Sequence, residues 1–466
     1  DRLVDRQTAR TYEAAQQECP APWNDAGGQR AALESASLRF TSIGGAPLTD
    51  GYHFGQTIVD DFGRPYGEGA NWIAGISGRG VLGPLGVYLR GEYQRAASRP
   101  PLSEEARQWI ARADGVPVPA AEPEKATERF RLLEAYASFN FHNWMVSFGK
   151  QNLWWGPGRG GSLLFSSNAE PIPMFRINRV LPFKFPLFLK WLGPVRAEFF
   201  FGQLAGHQHI RTQLGRPVDP QPFLHGQKIN FKPTPNLEIG FSRTAIYGGP
   251  GLPLTPEGIW RTLFSYGNSF GPADPGDRRS GFDVAYRVPG LRQWLLVYLD
   301  AFAEDEPSAI AHPHRAAMHP GIYLPQLPGL PNWDFRAEGA FTDLPDGLAF
   351  PGFYYANVRY LDGYTNRGNL LGHWVGRQGH GMQFSSTYWR GPRDKVQFGY
   401  RRAMVSGDFL PGGGRIDDYT VRMDWLVRPN LGFSASVQYE RWNIPVLSAG
   451  KESNVLTSVQ LTLWPD

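Results

Sequence analysis

The sequence predicts an all-β protein, a large transmembrane antiparallel β-barrel of about eighteen strands whose long extracellular loops carry short helices and plug the lumen. Three observations predict it. The chain holds 15 Trp, 19 Tyr and 30 Phe beside 55 Gly and 40 Pro, a mixture that suits pleated strands and turns. Apolar and polar residues alternate with period two in runs of about ten residues, longer than soluble strands and matched to a tilted bilayer span. The connections alternate between tight turns and long irregular links, as in outer-membrane barrels.

In chain order, residues 1–30 read as an N-terminal periplasmic segment, helical over 1–17, and residues 31–466 as the barrel. The run Leu33–Phe40 alternates weakly, and the even strand number of bacterial barrels assigns it to a segment inside or below the barrel rather than to the wall. From about residue 70 the pattern strengthens, first in GVYLRGEYQR (86–95). LSEEARQWIARAD (102–114) predicts a loop helix, with Ser103 as N-cap and Glu104 and Glu105 in the first turn. KVQFGYRRAMV (395–405), LGFSASVQYERW (431–442) and NVLTSVQLTLW (454–464) follow. In the second of these, Leu431, Phe433, Ala435, Val437 and Tyr439 share one face and Ser434, Ser436, Gln438 and Glu440 the other.

Tight turns are expected at 83–85, 142–143, 233–236, 289–290, 391–394 and 429–430. Long links are expected at 96–128, 154–171, 206–222, 247–278, 304–332, 362–377 and 406–415. With the C-terminus in the periplasm, the turns face inward to the cell and the long links outward.

Charge and cysteine content exclude several functions. The 47 Lys+Arg nearly balance 43 Asp+Glu, arginine far outnumbers lysine, and no basic run suits a nucleic-acid partner. Cys19 is the one cysteine, so neither an internal disulfide nor a Cys-based metal site is available. It follows Gln17-Glu18 rather than small apolar residues and reads as unmodified. No secretory leader begins at Asp1, so in an exported protein it has been cut off. The stretch 180–195 is the most apolar, yet Pro182, Lys184, Pro186 and Lys190 interrupt it, short of the roughly 18–20 residues of a membrane helix.

GKQNLWWGPGRGGSLLFSSNAEPIPMFRINRVLPF (149–183), GPVRAEFFFGQLAG (193–206) and GNLLGHWVGRQG (368–379) resemble the capsule-assembly outer-membrane proteins of the Wzi family. So do FGRPYGEGANW (62–72) and FLHGQKINFKPTPNLEIGF (223–241), and the likeness runs through residues 50–466. The resemblance implies an eighteen-stranded barrel blocked by loops and helices. It also implies a lectin-like, non-enzymatic role with surface or capsular polysaccharide as partner. Such a barrel would meet outer-membrane lipid and lipopolysaccharide, act as a monomer without a cofactor, and have the polysaccharide-export machinery as a further partner. Of that family's N-terminal helical bundle, only 1–17 has a counterpart here.

The candidate polysaccharide-binding residues are Trp154, Trp155, Arg159, Asn168, Glu170, Arg176, His373, Trp374 and Arg377. Indole faces stack on sugar C–H faces, and arginine pairs with the carboxylate of an acidic sugar. Gly156, Gly158, Gly160 and Gly161 let backbone approach a chain closely. Other readings stand beside these: Trp154 and Trp155 suit a membrane-interface anchor or plug packing equally, and Asn168, Glu170, Arg176 and Arg179 suit an internal network. His373, Trp374 and Arg377 also suit a packed cap. His312, His314 and His319, like His207 and His209, read as solvated loop residues, since no carboxylate or cysteine completes a metal geometry. The acid pairs Asp60-Asp61 and Asp417-Asp418 and the run Glu304-Asp305-Glu306 invite a glycosidase reading. Neighbours on a strand point to opposite faces, so a sequence pair is not a catalytic pair. The rival functions are a pore for small solutes or oligosaccharides, a barrel enzyme acting on lipid or glycan, and a surface-assembly component that binds another protein.

Overall fold

A computed structural model describes residues 30–252, 254–264, 276–306, 308–343 and 349–465. The predicted helix over 1–17 lies outside the described residues. The main sheet has nineteen strands, and one of them is the two-residue fragment Phe183–Lys184, which leaves eighteen in the wall.

These are β1 (Arg30–Gly44), β2 (Gly69–Leu82), β3 (Leu85–Ala96), β4 (Thr127–Phe141), β5 (Trp144–Gln151) and β6 (Ile172–Arg179). Next come β7 (Pro194–Gln203), β8 (Phe223–Thr234), β9 (Leu237–Tyr247), β10 (Asp277–Arg287), β11 (Leu296–Glu304) and β12 (Ala316–Leu324). The wall ends with β13 (Trp333–Phe341), β14 (Gly379–Trp389), β15 (Lys395–Val405), β16 (Gly414–Arg428), β17 (Leu431–Asn443) and β18 (Glu452–Leu463). All neighbours in the wall run antiparallel, and β1 closes it by pairing with β18 from Ala36–Leu463 to Gly44–Val455 and with β2 from Ala31–Gly80 to Ile43–Gly69.

The segment Leu33–Phe40, expected inside or below the barrel, is therefore part of the closing strand. Its pattern was weak for a physical reason. The inward positions Ser35, Ser37, Arg39 and Thr41 are small or polar, the outward ones include Ala36 and Ser42, and a bulge shifts the register between Leu33 and Ser35.

Turns of two residues at 83–84, 142–143, 235–236 and 429–430, and longer ones at 180–193, 288–295, 325–332 and 390–394, form one rim. The opposite rim carries the connections 45–68, 97–126, 152–171, 204–222, 248–276, 305–315, 342–378, 406–413 and 444–451. Both ends of the wall lie at the short-turn rim. Two expected links are corrected: 304–332 contains β12, and the link placed at 362–377 extends over 342–378.

The outward face is apolar, with Phe130, Phe148, Leu89, Ile76 and Val437 all exposed, as a lipid-facing surface requires. Loops 45–68, 97–126, 152–171, 204–222, 342–378 and 406–413 of the long rim contribute residues to the lumen. Loop 97–126 holds α1 (Glu104–Asp114), which is N-capped by Ser103 Oγ accepting from the Ala106 N–H at 3.1 Å. Loop 248–276 differs: its α2 (Pro256–Phe264) sets the Thr262 and Leu263 carbonyls against His225 and Gln227 on the outward side of β8. In the lumen Trp155, Leu163, Phe165, Phe200, Tyr355 and Tyr364 belong to one buried apolar cluster, and Trp109, Trp374, Phe409, Leu410 and Trp442 to a second.

Because β1 alone joins the two ends of the sheet, deletion of Arg30–Gly44 is expected to abolish the folded barrel. The check is heat-modifiable gel migration of the purified protein, in which a compact unheated band from the deletion variant would contradict this.

Candidate functional site

The loop 152–171 enters the lumen directly after β5 and is fixed there by polar pegs on the inward wall. Glu338 on β13 accepts the backbone N–H groups of Arg159 and Gly160, each at 2.8 Å. Asp300 on β11 accepts the Leu163 N–H at 2.9 Å. Glu304, at the end of the same strand, accepts the Tyr355 N–H of the facing loop at 2.8 Å. Buried backbone donors need acceptors, and an irregular loop inside a barrel has no ladder to supply them. Gly158 and Gly161 complete the fit: a Cβ on either would collide with the ring of His319 or of His373, respectively.

Most of the candidate residues work inside this plug. Trp155 is buried, packs edge-on against Phe165 and Phe200 at 5.0 and 5.6 Å, and donates its Nε1–H to Glu198 Oε1 at 3.1 Å. Asn168 accepts from the Asp60 N–H at 2.7 Å and donates to the Gly372 carbonyl at 2.9 Å. Glu170 pairs with Arg131 at 2.9 Å, with Lys150, and with Arg367 at 3.7 Å. Arg176 pairs with the same Glu198, at 2.9 Å.

In the facing loop, His373 lies 4.7 Å from the His319 ring, and Trp374 donates its Nε1–H to the Gly160 carbonyl. Arg377 is buried over Tyr52 and Phe409, donates to the Gly352 carbonyl at 2.9 Å and pairs with Asp114. Trp155, Asn168, Glu170, His373, Trp374 and Arg377 are thus enclosed and partnered, so in this conformation they hold loops together and present no face to a sugar. Trp154, half-buried with its Nε1–H on the Gly158 carbonyl at 3.1 Å, Arg176, also half-buried, and Arg159, exposed, retain accessible surface.

Two histidine readings change. His319 sits on β12 and His207 on a lumen loop; both are buried, His207 with its Nε2 at 3.0 Å from the Thr365 carbonyl. Asp417 and Asp418 do point to opposite faces: Asp418 pairs with the inward Arg401 and Asp417 with the outward Arg402. The pegs Glu338, Asp300 and Glu198 were not singled out from the sequence, and Glu304 was noted only within the acid run Glu304-Asp305-Glu306. Their signal was an acid on the inward face of an otherwise alternating strand.

A cavity lies on each side of the plug. Toward the short-turn rim, about 540 Å³ is lined by Arg159, Arg336, Glu338, Gln383, Trp389 and Asp424. At the long-loop rim, about 460 Å³ is bounded by Glu68, Arg99, Pro101, Ser103, Glu124 and Trp442. Among the described residues no group of three or more His, Cys, Asp or Glu side chains could hold a metal ion.

A family model for the capsule assembly protein Wzi matches residues 39–456. The chain belongs to that Wzi family. A Klebsiella pneumoniae relative, an uncharacterized 55.8 kDa protein in the cps region, is 28% identical over 182 residues, 38% of this chain and 34% of that protein. The match therefore spans about a third of that relative's length. Among solved structures, Escherichia coli Wzi, named as an outer membrane protein involved in group 1 capsule assembly and a carbohydrate binding β-barrel, aligns at a TM-score of 0.68. It is 19% identical, covering 93% of this chain and 85% of that one, which establishes a shared fold. Pseudomonas aeruginosa OpdQ aligns at 0.48 with 11% identity over 93% of this chain and 97% of its own.

Within the Wzi-family barrel described here, one contact between loops is set by pH. His53 lies between Asp50 (Nδ1 to Oδ2, 2.7 Å) and Asp114 of α1 (Nε2 to Oδ2, 2.6 Å). Burial opposes its charge, but the two carboxylates outweigh burial and raise its pKa from 6.5 to about 9. A raised folded value gives stabilisation that is complete below the unfolded value of 6.5 and lost as pH climbs through about 9. Loop 45–68 is therefore expected to lose protection against limited proteolysis between neutral pH and about pH 10. His53→Asn should flatten that dependence; an unchanged pH profile in the variant would contradict the assignment.

Proposed function

We propose that this chain is a non-catalytic outer-membrane lectin that attaches or organises capsular or exopolysaccharide at the cell surface. The observation that carries the reading is the filling of the lumen. Aromatic and aliphatic residues of the loops pack with inward wall residues into two buried clusters, and wall carboxylates fix the loop backbone. A barrel filled this way offers a rigid surface more readily than a passage, and rigidity in the bound conformation lowers the entropic cost of holding a polymer. The sidedness follows from connection length, with the long-loop rim outward.

The cavity at that rim suits a glycan. Arg99 and Glu124 form a partly exposed pair at its edge, and Glu68 and Ser103 add hydrogen-bonding groups. Weak contacts repeated along a polymer accumulate avidity. Membership of a capsule-assembly family and the carbohydrate binding named for Escherichia coli Wzi support the same reading. Of the candidate residues, Trp154, Arg159 and Arg176 keep accessible surface, but Arg159 lines the cavity toward the short-turn rim and none of the three lines the rim cavity.

The test is retention of the producing strain's own extracellular polysaccharide by the purified protein in detergent. Wild type is expected to bind. A folded Glu68→Ala/Arg99→Ala variant is expected to bind roughly tenfold more weakly, about 1.4 kcal/mol. Absence of wild-type binding would contradict the lectin reading for that glycan.

A further inference from the structure

The outward face of β15, β16 and β17 changes chemistry at one level. From the short-turn rim upward, β16 presents Val427, Trp425, Met423, Val421 and Tyr419, and β17 presents Leu431, Phe433, Ala435, Val437 and Tyr439. On β15 the matching positions are Val396, Phe398 and Tyr400. The three tyrosines are direct cross-strand partners, Tyr400 with Tyr419 and Tyr419 with Tyr439. Such a row of aromatics marks the edge of the apolar band of a membrane barrel.

The next rows toward the long-loop rim are charged. Arg402 pairs across to Asp417 and Asp417 to Arg441, and one step further Met404 pairs to Arg415 and Arg415 to Asn443. The flanking strands carry no cation at this level: Ser453 of β18 lies opposite Arg441, and His380 of β14, opposite Met404, is hydrogen-bonded to Asp343. Asp417 accepts from Arg402 Nε at 2.7 Å, from Arg415 Nε at 2.6 Å and Nη2 at 3.3 Å, and from the Tyr400 hydroxyl at 2.7 Å.

One carboxylate thus gathers two guanidiniums side by side and neutralises one of three. Arg441 is exposed and has no partner among the described residues. Arg402 and Arg415 side chains remain 30% and 46% exposed. A guanidinium has five N–H donors in a fixed fork, so both retain donors beyond those given to Asp417. Like charges on adjacent strands repel unless an anion lies among them, and forked donors in this spacing match the oxygens of a phosphate.

We propose that this outward patch, with Arg402, Arg415 and Arg441 as its cations and Asp417 as their positioning residue, binds the phosphorylated headgroup of a glycolipid in the surrounding leaflet. The proposal rests on the outer-membrane reading above but not on polysaccharide binding. It lies on the lipid side of the wall, away from both cavities. Its position level with the end of the apolar band selects a lipid headgroup over a soluble anion.

The experiment is native mass spectrometry of the full chain in detergent with diphosphorylated lipid A, the same lipid after dephosphorylation, and inorganic phosphate alone. Wild type is expected to retain the diphosphorylated lipid and to lose at least about tenfold in affinity for the dephosphorylated one, as charge-assisted hydrogen bonds vanish. Arg402→Ala/Arg415→Ala/Arg441→Ala should abolish that preference, while Arg95→Ala, outward on β3, should leave it intact. Arg441→Ala alone has no bonded partner to orphan; it serves if the triple variant fails to fold, and should weaken retention several-fold. Equal retention of both lipids, unaltered retention by the folded variants, or phosphate binding as tightly as the lipid would overturn the proposal. Polysaccharide retention measured on the same samples separates the two readings. Loss of polysaccharide in place of lipid from the triple variant would assign the patch to the glycan and contradict the proposal.

Discussion

A closed wall of eighteen strands encloses more space than its own inward side chains can fill, and the rest of the structure answers that constraint. Most loops of the long rim fold into the lumen and bring with them backbone N–H and C=O groups that no sheet ladder can satisfy. The wall answers with carboxylates. Glu338, Asp300 and Glu304 each receive loop N–H groups, and within the plug Asp362 receives those of Gln208 and His209 at 2.9 and 2.6 Å. Hydrogen bonds to charged groups are worth about 1.5–3 kcal/mol each, and a buried unmet donor costs a comparable amount. Position and stability of the plug therefore share one cause.

Around these pegs the apolar residues do what they do in a soluble core. Trp155, Phe165 and Phe200 meet edge to face, and the glycines at 158 and 161 leave room for two imidazoles. Buried cations are paired in the same economy of space: Arg377 lies between two aromatic faces and Asp114, which ties α1 to the loop 342–378. A barrel organised this way separates two cavities and offers a fixed outer rim. It also leaves its outward face free for lipid, where the row Arg402–Asp417–Arg441 begins as the apolar band ends.

Much of this architecture was legible in the sequence, because period-two alternation and turn length are local signals. The faces of β17 follow its alternation residue by residue, and α1 begins at its Ser103 cap. β1 was misplaced since its inward face is small and polar and a bulge breaks its register. β12 was read as part of a link, its sequence AAMHPGIYL carrying a proline and a glycine within the strand. The candidate residues were read as a binding surface or a network, and burial decided where most of them sit. Burial depends on contacts between loops some two hundred residues apart, such as Trp374 with Gly160, and no local pattern encodes those. The role of the pegs was missed for the complementary reason: an acid at an inward barrel position looks the same in sequence whether it faces water or a loop N–H, and Glu304 was noted only as part of an acid run.

On this structure the loops make the barrel a closed scaffold. Planar-bilayer recording on the purified, refolded protein tests this closure most directly. Wild type is expected to show no stable open-channel current at moderate voltage. Stepwise conductance is expected once Glu338→Ala and Asp300→Ala remove the pegs of loop 152–171. A steady ohmic conductance from the wild-type protein would contradict closure.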